Sequence, residues 1–153
     1  MTIMKKAIHL SLLFIVVISL TGCFKKDVYL PTNIAGAWII DDAARLKSYG
    51  WQSFNTGLEN GIFDLYSNGS AAFSDAYGSY TGSWNISDSY GNYYDANGDY
   101  RNGYHQSLYI HLYDRVNQSS INLSFENIEV YRNRFVAIDY YNGYLERYEF
   151  GRY

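Results

Sequence analysis

Cys23 is the only cysteine in the 153-residue chain, and it closes the stretch Leu20-Thr21-Gly22-Cys23 at the end of an apolar run. A lone thiol there offers four chemistries: half of an intermolecular disulfide, a reactive nucleophile, a small buried hydrophobe or a point of covalent attachment. His105 and His111 are six residues apart in an alternating stretch. On one strand, at about 3.3 Å per residue, they stand about 20 Å apart and cannot share a metal ion. Asp95, Asn97 and Asp99 alternate like the start of a calcium loop. Tyr100 then stands where the glycine belongs and Gln106 where the bidentate glutamate belongs, so no such loop is expected. Gly78-Ser79-Tyr80-Thr81-Gly82 carries tyrosine where a nucleophile elbow needs serine. No glycine-rich phosphate loop opens a helix, and no two carboxylates are paired by spacing for acid–base work. The expectation is a non-enzymatic protein without metal or cofactor.

The segment before Cys23 decides among its four chemistries. Lys5 and Lys6 precede 14 mostly apolar residues, and small residues follow at Thr21 and Gly22. A basic start, a short apolar core and a small-residue junction make a secretory signal. The core is shorter than the roughly 20 residues a spanning helix needs. Leu20-Thr21-Gly22-Cys23 itself resembles a bacterial lipobox. That resemblance implies thioether lipidation of Cys23 by diacylglycerol, cleavage before it and acylation of the new amino terminus. Two or three acyl chains, at about 0.8 kcal/mol per buried methylene, make a stable membrane anchor. The expected organisation is a signal peptide over 1–22, a charged, proline-containing tether over 23–32 and one domain over 33–153. Phe24 is not the aspartate that retains many enterobacterial lipoproteins at the inner membrane. The resemblance therefore implies a cell-envelope protein anchored at the outer membrane.

Loss of residues 1–22 leaves 10 basic against 15 acidic residues, a balance without the basic stripe that binds nucleic acid. The chain has 18 tyrosines and a single proline. Aromatic side chains suit a pleated, half-buried surface. Alternating runs are expected as strands over 33–41, 61–67, 70–77, 79–86, 105–113, 121–131, 134–141 and 144–152, with hairpin turns at Asn68-Gly69 and Asn142-Gly143. Residues 42–55 have mixed character, read as a helical turn before a short strand. Residues 88–103 read as a long polar loop. Eight or so strands joined by hairpins predict an all-β, antiparallel up-and-down barrel, which would leave no exposed edge, with an open sandwich as the alternative.

Gly36-Ala37-Trp38 resembles the Gly-x-Trp signature that opens lipocalin-like barrels. Gly82-Ser83-Trp84-Asn85-Ile86 is similar to a mid-domain strand of small bacterial lipocalin-like lipoproteins, and Tyr148-Glu149-Phe150-Gly151-Arg152 to their closing strand. The resemblance implies structural roles for Gly36, Trp38, Trp84, Tyr148, Phe150 and Arg152, with Trp38 plugging one end of the barrel and Arg152 lying across it. It implies a membrane-anchored protein that binds a small apolar or amphipathic ligand. The loop supplies a second candidate surface. Tyr90, Tyr93, Tyr94 and Tyr100, interleaved with Gly, Asn and Asp, have the mixture of rigid and adaptable contacts used by binding loops. Recognition of a protein partner or of carbohydrate through these tyrosines is the alternative reading.

Overall fold

The alternation from Asn33 onward folds into ten antiparallel strands in the computed structural model, which describes residues 33–153. They are β1 (Gly36–Lys47), β2 (Gly50–Ser53), β3 (Ile62–Leu65), β4 (Ser70–Ser74), β5 (Ser79–Tyr94), β6 (Tyr100–Asp114), β7 (Ser119–Phe125), β8 (Asn127–Val130), β9 (Arg134–Tyr141) and β10 (Tyr144–Arg152). The expected signal peptide, Cys23 and the tether lie outside the described residues. The β9–β10 turn has positive φ at both Asn142 (51°) and Gly143 (80°), which matches the right-handed twist of the strands it joins.

Two expectations fail locally. Residues 42–47 are not helical but continue β1, which turns back into β2. Ala43 and Ala44 are both buried, so small side chains let this stretch be covered on either face. A bulge at Asp41 shifts the phase against β10, and Gly151, the partner of Ile39, leaves room for the Asp41 carboxylate, which a Cβ would meet at 2.0 Å. The loop over 88–103 is likewise absent. β5 and β6 pair without interruption from Thr81↔Tyr113 to Tyr94↔Tyr100, leaving only a five-residue turn. The sequence is almost a mirror image about that turn: Tyr90, Gly91, Asn92 and Tyr94 face Tyr104, Gly103, Asn102 and Tyr100. Matched cross-strand pairs hold the extension together. Asn102 Nδ2 donates to Asn92 Oδ1 at 2.7 Å, and the Tyr90 and Tyr104 rings meet edge to face at 4.8 Å.

The sheet order is β7-β6-β5-β4-β3-β1-β10-β9-β8, with β2 also on β1. The expected closed barrel is not formed. β7 and β8 are successive pieces of one stretch separated only by Glu126, yet β7 pairs with β6 and β8 pairs with β9. The chain thus changes partner at Glu126, whose N–H still donates to Ile138 O at 2.8 Å. Before that point no ladder joins β7 to β9, and the sheet splits there.

The sheet rolls around a core in which Phe63, Phe73, Phe125, Phe135 and Phe150 are almost wholly buried. Phe135 stacks on Phe150 at 4.3 Å, and Phe150 meets Phe63 and Phe125 edge to face at 5.9 and 6.0 Å. Burial of each such side chain contributes about 1.5–3 kcal/mol. Side chains therefore fill the interior that the barrel expectation had offered to a ligand. A second, smaller core lies on the outer face of β9 and β10, where Val136, Ile138 and Leu145 are covered by Leu46, Trp51, Tyr94 and Ala96. The far end of the β5–β6 hairpin thus laps over the outside of the other end of the sheet. Asn127 Nδ2 donates to Tyr94 O at 3.0 Å, and the N–H of Ala96 donates to Glu129 Oε1 at 2.8 Å. This overlap takes the place of edge-to-edge closure.

Candidate functional site

The split between β7 and β9 opens a cleft of about 330 Å³. Phe125 and Leu123 of β7 line one side, Asp139 and Tyr141 of β9 the other. Arg45, Glu146, Tyr148 and Phe54 also line it, as do Asn122 and Ser124 of β7. Register places the charged groups together: Arg45 is opposite Glu146 across the β1–β10 ladder, and Glu146 is opposite Asp139 across β10–β9.

Glu146 is 6% exposed, and its partners account for its charge. Arg45 Nε donates to Glu146 Oε1 at 2.9 Å, a second guanidinium N–H reaches the same oxygen, and the Tyr148 hydroxyl donates to Oε2 at 2.9 Å. Burial, then this hydrogen bond and the Glu146 charge, push the Tyr148 hydroxyl well above the ordinary phenol range. The Arg45 guanidinium also lies 5.2 Å from the Phe54 ring centroid and 4.9 Å from that of Tyr144. Asp139 is placed differently. Burial first, then the neighbouring Glu146 charge, raise its carboxyl above the usual range, against one backbone hydrogen bond from Tyr140. Arg45 is thus engaged by Glu146, and Asp139 lines the same aromatic-walled cleft with no ion-pair partner among the described residues.

A larger cleft, about 430 Å³, lies between the β4–β5 and β6–β7 turns. Its carboxylates are occupied by their own turns. Asp75 Oδ1 accepts from the N–H groups of Tyr77 and Gly78, and Asp114 accepts from Val116, Asn117 and the Asn117 amide. That arrangement builds loops rather than a site.

The four tyrosines of the expected loop do not form one surface. Tyr94 and Tyr100 meet at 5.3 Å, and Tyr94 also stacks on Tyr140 at 5.7 Å. Tyr93 stacks on buried His105 at 4.7 Å on the other face of the hairpin. Tyr90 is exposed beside Tyr104. The motif residues gather elsewhere. Trp38 is 2% exposed, donates from Nε1 to Ile34 O at 2.7 Å and meets Phe135 edge to face at 4.8 Å. The Arg152 guanidinium lies over the Trp38 ring at 4.8 Å. Gly36, at φ 146°, makes room for it, since a Cβ there would meet Arg152 Nη1 at 2.7 Å. Trp84 packs against the main core and donates from Nε1 to Tyr66 O at 2.8 Å, while Phe150 is wholly buried. Tyr148 is the one motif residue that also lines the cleft.

Sequence reading missed Arg45, Asp139 and Glu146. The signal was present as charge at inward phase: Glu146 alternates with Tyr148 and Phe150, and Asp139 with Phe135 and Ala137. Comparison of the chain with family models, with curated proteins and with solved structures gave no match.

Proposed function

We propose that this chain is a lipid-anchored envelope protein, attached through Cys23, whose rolled, lipocalin-like sheet binds a small amphipathic molecule without catalysis. Its ligand carries a cationic head and an apolar body, and it enters the split between β7 and β9 rather than the centre of the sheet. The observation that supports this reading is Asp139. It is a carboxylate beside the already satisfied Glu146, in a cleft walled by Phe54, Phe125 and Tyr141. An ammonium group placed there relieves the repulsion between the two carboxylates and faces aromatic rings that favour cations. Phenylalanines fill the main core, which leaves the mouth as the place for an amphipathic guest.

Calorimetric titration of the purified full-length chain with phenethylamine, and with phenylpropionate as its anionic counterpart, tests the proposal. The amine is expected to bind at neutral pH, the carboxylate not, and Asp139→Asn to weaken amine binding at least tenfold. Equal binding of both probes, or unchanged amine binding by Asp139→Asn, overturns it.

A further inference from the structure

The outer face of β5, β6 and β7 lies on the opposite side of the sheet from the main core and is made of different chemistry. Buried Leu108, Ile110 and Leu112 point inward from β6, while Tyr109, His111 and Tyr113, which alternate with them, are exposed. Across the ladders the same face carries Thr81, Ser83 and Asn85 on β5, opposite Tyr113, His111 and Tyr109. On β7 it carries Ser120, Asn122 and Ser124, opposite the same three residues in the same order. None of these nine positions holds a carboxylate, a lysine or an arginine, and none holds an aliphatic side chain. The amides and hydroxyls are partly ordered among themselves. His111 Nδ1 pairs with Asn122 Oδ1, and Asn122 Nδ2 donates to Ser120 Oγ at 3.0 Å.

We infer that this face is a binding surface for a neutral, linear glycan, centred on Tyr109 and Tyr113 of β6 and meeting the cleft between β7 and β9 only at Asn122 and Ser124. Two tyrosines four residues apart on one strand stand about 13 Å apart, so an extended sugar chain can lie along β6 and cover both. The C–H faces of sugar rings pack on the electron-rich faces of tyrosine rings. The flanking Asn, Ser and Thr groups offer donors and acceptors to the ring hydroxyls on either side. The lack of charge sets this face against other occupants. Nucleic acid needs Lys or Arg, a lipid surface needs an apolar face with basic residues, and the centre of a protein interface is apolar. An uncharged polyol matches a face that is polar, aromatic and neutral.

The test is titration of the purified full-length chain, in a sugar-free detergent, with cellohexaose and chitohexaose as neutral probes, glucose as a short one and heparin hexasaccharide as a charged one. At least one neutral hexasaccharide is expected to bind, more than tenfold more tightly than glucose, with no binding of the heparin fragment. The pair Tyr109→Ala and Tyr113→Ala should lose that binding at least tenfold. Tyr109→Phe with Tyr113→Phe should keep most of it, because the stacking face remains. Asp139→Asn should leave it unchanged, which separates this surface from the cleft. Failure of both neutral hexasaccharides to bind, binding only of the charged fragment, or retained binding by the double alanine variant with an unaltered melting temperature overturns the inference.

Discussion

Tyr94, near the tip of the long hairpin, stacks on Tyr140 of β9 with ring centroids 5.7 Å apart and planes inclined by 22°. Tyr140 is the neighbour of Asp139 and points to the opposite side of the strand. The hairpin therefore braces the back of the strand whose front carries the cleft. A double-mutant cycle of Tyr94→Ala and Tyr140→Ala, measured by urea denaturation, is expected to give a coupling of about 0.5–1.5 kcal/mol. Strictly additive losses would mean that the stack contributes no interaction of its own.

Gly98 sets how closely the turn seats on that second core. Its φ is 87°, and a Cβ would meet Trp51 at 3.0 Å and Leu145 at 3.2 Å. Gly98→Ala is expected to destabilise by about 1–3 kcal/mol, since a strained backbone and a crowded contact act together. Amide exchange should speed up across 90–104 while β9 and β10 beside the main core stay protected. Uniform acceleration across the sheet would show that the lap does not open as a local unit.

Much of this fold is legible in the residues, and the exceptions have physical causes. Asn142-Gly143 announces its turn because few other pairs tolerate positive φ twice. Phe135, Phe150 and Leu108 announce inward faces by simple alternation. Residues 88–103 misled because Gly, Asn and Asp signal turns one residue at a time. Their strand character lies instead in pairing across the turn, visible only when Tyr90-Gly91-Asn92 is set against Asn102-Gly103-Tyr104. Closure could not be read at all, because β7 and β8 look like one strand and only tertiary packing makes the chain change partner at Glu126. The cleft residues were hidden for the same reason, since that split is what brings Asp139 to face β7.

Arg45 is the only basic side chain among the described residues that line the cleft, and it pairs with Glu146. Arg45→Ala leaves Glu146 buried with only the Tyr148 hydroxyl among its side-chain partners. A fully buried pair broken this way costs about 3–5 kcal/mol and an exposed one under about 1. Arg45, whose side chain is 35% exposed, falls between them, and a measurable loss smaller than that of a fully buried pair is expected from urea denaturation at pH 7. Most of the loss should be recovered when Glu146→Gln is added to Arg45→Ala, since the unpaired buried charge is then gone. No recovery by Glu146→Gln would assign the effect to packing on Phe54 instead.

Asp139 gives the opposite sign. Its carboxyl is raised by burial and by Glu146, so the folded protein holds this proton more tightly than the unfolded chain does. Stability from Asp139 is thus greatest in acid and is lost as pH rises from the ordinary carboxylate range through its raised value. Asp139→Asn removes the penalty and is expected to raise the melting temperature at pH 7, with the gain fading below the ordinary carboxylate range. A variant that is less stable than the parent at pH 7 would contradict the direction of this shift.

The pairing of β1 with β10, from Trp38↔Arg152 to Arg45↔Glu146, joins residues about a hundred positions apart. Folding speed falls as such distant contacts multiply, because the loop must close before any of them form. β1 has no lasting partner on that side until β10 has emerged, so Trp38, Ile40 and Ala43 wait exposed while the rest of the chain is made. The central strand of the sheet is thus among the first made and the last completed, and that interval is when the chain is most open to misassociation.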